Sequence, residues 1–187
     1  SGGNEFSADS KMLQDRLYVN NGQGGFTKST SALPKMLTSG LRVSIIDYDK
    51  DGDLDLFVGG RLVPKNYPLP ANSYILENVS TKGKPKFIDV TKKIAPELEE
   101  LGMVTSSLWS DYDNDGQIDL IVVGEWMPIT IFKNNKGSFK NITKDLNLDA
   151  TTGWWFSINE GDFDNDGDLD YIVGNLGLNY KYKANKE

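Results

Sequence analysis

Apolar and polar residues alternate in short runs along most of this chain, and no segment keeps a helical period long enough for an extended amphipathic helix. Three runs, Leu41-Arg-Val-Ser-Ile-Ile46, Thr105-Ser-Ser-Leu-Trp-Ser110 and Trp154-Trp-Phe-Ser-Ile158, each lead into a nine-residue polar stretch. Each polar stretch then opens into a nearly continuous apolar run: Leu56-Phe-Val, Leu120-Ile-Val-Val and Tyr171-Ile-Val. Between these lies a second pattern, Leu17-Tyr-Val-Asn-Asn-Gly-Gln-Gly-Gly-Phe26, matched by Ile131-Phe-Lys-Asn-Asn-Lys-Gly-Ser-Phe139 and more loosely by 74–87. A strand, an Asn/Gly turn and a Phe opening the next strand predict a β-hairpin. The hairpins continue as Phe87-Ile-Asp-Val-Thr91 and Phe139-Lys-Asn-Ile-Thr143, apolar on alternate residues.

The unit read along the chain is therefore strand, turn, strand, connector, strand, polar loop, strand. Four short strands per repeat predict an all-β fold, a partial β-propeller of about three four-stranded blades. The repeats are bounded as residues 1–58, 59–123 and 124–173, with 174–187 starting a further one. The second repeat is longer through 61–73, where three prolines exclude a central strand and predict a surface loop. Pro96-Glu-Leu-Glu-Glu-Leu101, stopped by Gly102, predicts one helical turn.

The three polar stretches all read D-x-D-x-D-G-x-x-D, beginning at Asp47, Asp111 and Asp162. Carboxylates this dense repel each other unless a cation lies among them. Ca²⁺ takes six to eight oxygens at about 2.3–2.6 Å, and alternating carboxylates supply them. Positions 1, 3, 5 and 9 offer side-chain oxygens: Asp47, Asp49, Asp51 and Asp55; Asp111, Asp113, Asp115 and Asp119; Asp162, Asp164, Asp166 and Asp170. Position 7 varies as Asp53, Gln117 and Asp168, so its backbone carbonyl is the expected ligand. Gly52, Gly116 and Gly167 permit the sharp turn, and the aromatic at position 2 (Tyr48, Tyr112, Phe163) is expected to pack into the blade. An EF-hand needs a Glu at position 12; Val58, Val122 and Val173 stand there, within β-type flanks. About three Ca²⁺ ions, tying the loops between strands, are the expected cofactors.

Charge sharpens this picture. The loops hold 14 of the 27 acidic residues, so the net charge of −7 is largely local to them. An acidic chain argues against nucleic acid and anionic membrane surfaces as partners, and no apolar stretch approaches a membrane span. With no Cys and no His, thiol nucleophiles, His bases and the usual Zn and Cu sites are excluded.

The acidic loop followed by an apolar strand and Gly, together with the N-x-G-x-G-x-F hairpin, resembles the FG-GAP/VCBS repeat family, which includes the integrin α-subunit propeller. Gly153-Trp154-Trp155 leading to Gly161-Asp162-Phe163 is similar to bacterial members of the ASPIC/UnbV-associated type. The resemblance implies a calcium-binding β-propeller of typically about seven blades, exported to the cell surface, periplasm or exterior, and used to bind ligands. Three blades do not close a ring, so the remaining blades of a longer chain, or self-association, are expected to cover the open edges. The expected function is a non-enzymatic binding or adhesion module for a protein or carbohydrate ligand. Arg61, Tyr67, Glu125, Trp126, Trp154 and Trp155 are the candidate contacts. Trp154-Trp155 forms either a sugar platform or, the favoured alternative, one indole packed between blades with the other half-buried. The alternatives are a structural spacer and an ancillary domain of a polysaccharide-active enzyme.

Overall fold

The computed structural model describes residues 4–177. Twelve strands account for almost all regular structure: β1 (Leu17–Asn20), β2 (Phe26–Ser29), β3 (Ser39–Ile46), β4 (Asp55–Leu62), β5 (Tyr74–Asn78), β6 (Phe87–Asp89), β7 (Met103–Ser110), β8 (Asp119–Met127), β9 (Thr130–Asn135), β10 (Ser138–Asn141), β11 (Gly153–Gly161) and β12 (Asp170–Asn175). All pairings are antiparallel. The all-β, propeller-like fold expected from the alternation is what the chain adopts. The only α-helix among the described residues is one turn, Thr91–Ile94, where the sequence pattern had continued β6 to Thr91. Asp89 explains the change, since its carboxylate accepts from both the backbone N–H and the hydroxyl of Thr91 and turns the chain. The helical turn expected at Pro96 is a 3₁₀ turn over Pro96–Leu98.

Hydrogen bonding groups the strands half a repeat out of step with the unit read along the chain. Each acidic loop joins the first two strands of a sheet, and the hairpin that follows completes it, as β3-β4-β5-β6 and β7-β8-β9-β10. The hairpin β1-β2 stands by itself, and β11-β12 adjoins the second sheet through Gly153↔Met127 and Trp154↔Glu125. The repeat boundaries at 58/59, 123/124 and 173/174 therefore fall inside β4, β8 and β12. A repeating sequence carries a period but no phase; only cross-strand register sets where a sheet begins. Most of the expected further repeat, 178–187, lies outside the described residues.

The strands that open each sheet, β3, β7 and β11, lie side by side. The main core sits between the two complete sheets, where Phe57, Ile75, Leu120, Val122 and Phe132 meet Leu98 and Ala95 of the connector. Trp109 packs edge-on against Phe57 at 6.4 Å and tilted against Phe139 at 5.8 Å, spanning the interface. A second core, Ile121, Val123, Ile131, Ile142 and Ile158, lies between the second sheet and β11-β12. At the outer ends of this arc Leu41, Val43 and Ile45 of β3 and Ile172 of β12 are exposed.

Candidate functional site: acidic loops and an aromatic ledge

The three acidic stretches form the same turn. The position 1 carboxylate accepts from the backbone N–H of positions 5 and 6: Asp47 from Asp51 and Gly52 at 3.1 and 3.0 Å, Asp111 from Asp115 and Gly116 at 3.0 and 2.8 Å, Asp162 from Asp166 and Gly167 at 3.2 and 3.1 Å. Position 5 then accepts from position 7 in every loop. Gly52, Gly116 and Gly167 have φ of +96°, +82° and +98°, the left-handed backbone that glycine accommodates. Position 4 is also left-handed at Lys50, Asn114 and Asn165, a feature that the two asparagines signal and the lysine hides.

The turns bring carboxylates together. Oxygens of Asp47, Asp49 and Asp55 lie within 4.8 Å of one another, as do those of Asp162, Asp164 and Asp170, and those of Asp111, Asp113 and Asp115. The carboxylates of Asp51, Asp166, Asp53 and Asp168 stand outside these trios, and that of Asp119 outside the trio of its own loop. Position 9 is the buried end. Asp55 and Asp119 are 1% and 0% exposed, and burial, reinforced by the neighbouring Asp49 and by Asp113 respectively, pushes each carboxyl up to about 6. Asp119 Oδ1 accepts from the Asn134 backbone at 2.6 Å, but its buried Oδ2 has no hydrogen-bond partner. A desolvated, unpaired carboxylate oxygen beside hard-oxygen neighbours is the chemistry a divalent cation completes, so the residues present fit the expected ion.

Two bracing residues escaped sequence reasoning. Asn78 and Asn134 occupy the same corner, where a hairpin strand meets its turn. Their backbone N–H groups donate to Asp55 and Asp119 at 2.8 and 2.6 Å, and their carboxamides donate to the carbonyls of Leu54 and Ile118 at 3.0 Å each. The Asn134 carboxamide also donates to the Tyr48 carbonyl of the first loop at 3.1 Å. The recurring Asn of the hairpin motif carried this signal, although it reads locally as turn chemistry. The position 2 aromatics differ. Tyr48 is buried against Phe139 at 5.7 Å and Tyr112 is half-buried, whereas Phe163 is 62% exposed, contrary to its expected packing. Tyr48 is covered by β10 of the next sheet; among the described residues no sheet follows β12.

A second constellation gathers at the far ends of β4 and β8. Arg61 and Glu125, one residue past Gly60 and Gly124 on equivalent strands, form an ion pair of 2.5 Å with Glu125 almost fully buried. Tyr67 of the proline-rich loop approaches Glu125 at 3.4 Å and accepts from Trp126 Nε1 at 2.7 Å. Burial, with the adjoining Glu125 carboxylate, raises the Tyr67 hydroxyl above the ordinary phenol range. Trp126 stacks on Trp154 with ring centres 5.2 Å apart and planes 24° apart, and Phe156 continues the row at 6.0 Å from Trp154. The β8–β11 register skips Trp126, whose φ of +60° is rare for a bulky side chain and swings the indole out of the sheet. Of the adjoining pair, Trp154 is half-buried in this row and Trp155 is the packed indole, so the two form no common platform. Trp155 packs into the second core and donates from Nε1 to the Thr151 carbonyl at 3.1 Å.

With this geometry in view, the sequence profile of the FG-GAP-like repeat matches residues 6–58 and 111–173, and the chain belongs to that family. None of the curated proteins compared with it matches. No helix among the described residues is long and apolar enough to cross a membrane.

Proposed function

We propose that this chain is a non-enzymatic, Ca²⁺-stabilised binding module of an exported protein, and that its ligand surface is the ledge of Arg61, Tyr67, Trp126, Trp154 and Phe156. The observation that carries the reading is the convergence of residues from the proline-rich loop, β8 and β11 on one surface, with Trp126 held in left-handed backbone. Strain of this kind costs roughly 1–3 kcal/mol and concentrates where a side chain has been aimed at a ligand. Aromatic faces beside a guanidinium and a phenol favour a carbohydrate, whose C–H face stacks on indole while its hydroxyls pair with the polar rim. The acidic loops stabilise the scaffold from the opposite ends of the same strands, binding Ca²⁺ through the Asp trios and position 9.

Glycan-array binding of the intact chain at millimolar Ca²⁺ tests the reading, with Trp126→Ala, Trp154→Ala and Trp155→Phe compared after circular dichroism has confirmed folding. Loss of about tenfold or more in affinity for the first two, with little change for the third, is expected. Equal capture by all four proteins would overturn the ledge as the ligand surface, and none by any would assign the chain to a spacer role instead.

A further inference from the structure

The three acidic loops differ in which oxygens they assemble. The first and third gather positions 1, 3 and 9, whereas the second gathers positions 1, 3 and 5 and leaves Asp119 out. A side-chain cation accounts for the difference. Lys133 of β9 forms ion pairs with Asp113 and with Asp115, the latter at 2.9 Å, and lies 5.5 Å from the centre of the Tyr112 ring. A second ammonium, that of Lys50 in the first loop, donates to the Gly116 carbonyl at 2.5 Å. The second loop also carries Gln117 where the others carry Asp53 and Asp168. It therefore has one carboxylate fewer and two ammonium groups against it. The pairings Leu120↔Phe132 and Leu56↔Leu76 place Glu77 where the first complete sheet has no Lys133.

We propose that Lys133 is a tethered counter-cation of the second acidic loop, and that this loop takes up Ca²⁺ last because the ion must displace the ammonium from Asp113 and Asp115. The inference rests on the calcium reading above and goes beyond it in ranking the sites. In the apo chain the charge of the second loop is already partly offset by the two ammonium groups, so its sheet keeps its turn when calcium is scarce.

Native mass spectrometry against free Ca²⁺ concentration counts the ions and resolves their order. Two ions bind first, followed by a third at least about tenfold more weakly. That weak step disappears in Asp111→Asn and persists in Asp47→Asn and Asp162→Asn. Lys133→Met, which keeps the aliphatic stem, draws the third step to within about threefold of the others, and Glu77→Lys weakens one of the first two by about tenfold. Three equal steps, a weak step lost in Asp47→Asn or Asp162→Asn, or a weak step unchanged in Lys133→Met would overturn the ranking while leaving the calcium reading in place. Absence of binding at any loop would overturn both.

Discussion

Chelation across a pH series puts the acidic loops to a quantitative test. In the metal-free fold Asp55 and Asp119 keep their protons up to about 6, whereas the unfolded chain releases them near 3.8. Between those values the native state binds more protons than the unfolded one, so stability falls as pH rises through the window. The two values lie roughly 2 pH units apart at each residue, and at about 1.4 kcal/mol per unit the pair costs about 5 kcal/mol once both are ionised. Asp115, held low by Lys133, titrates beneath this window and leaves the sign intact. A bound dication stabilises the ionised carboxylates and removes the cost. For a chain of this length about 2–4 °C accompanies each kcal/mol, so the gap between calcium and EDTA melts should widen by about 10–20 °C between about pH 4 and pH 7. Circular dichroism melts in the two buffers, repeated with Asp119→Asn, measure it; the variant should lose about half of the pH dependence. A chelated melting temperature that holds or rises over that range, or a gap of constant size, would refute the reasoning.

Other perturbations read out the scaffold. Phe57→Ala empties a fully buried site between the two complete sheets and should cost about 3–5 kcal/mol by urea denaturation. Arg61→Met leaves the Glu125 carboxylate buried without its ion-pair partner and should cost about 3 kcal/mol, whereas the double change Arg61→Met with Glu125→Met should recover much of that loss in the same assay. Asn134→Ala removes the carboxamide hydrogen bonds to Tyr48, Ile118 and Gly137 and should lower stability by about 2–4 kcal/mol, measured in EDTA so that metal binding does not enter. Gly124→Ala brings a methyl group into the Met103 carbonyl of the neighbouring strand and should cost at least about 2 kcal/mol by thermal melt.

The strands and acidic turns were legible because both are local: period-two alternation marks the pleat, and the D-x-D-x-D-G spacing with its position 6 glycine marks the turn. The clustering of positions 1 and 3 follows from that spacing, whereas the third member of each trio does not, being position 9 in two loops and position 5 in the second. What the chain concealed depends on register between segments far apart. Lys133 is an ordinary strand lysine until β8 and β9 align and set it over Asp113. Trp126 looks like any strand residue until the β8–β11 register skips it. The Trp154-Trp155 pair shows the opposite case, in which a local rule was available and decisive. Consecutive residues of a strand face opposite ways, so the two indoles could not share a surface, and Trp154 pairs with Trp126 instead. Sheet phase was hidden for a different reason, since every cut through a periodic sequence gives an equally good unit.

The Asn134 side chain grips a carbonyl from the first acidic turn and one from the second with a single amide nitrogen. Neighbouring blades are thus fastened by a shared rivet rather than by separate ones. Pulling one blade away along the arc loads the adjacent turn at once, so mechanical failure should run through both together. Under tension, that arrangement resists force as a unit and then gives way abruptly.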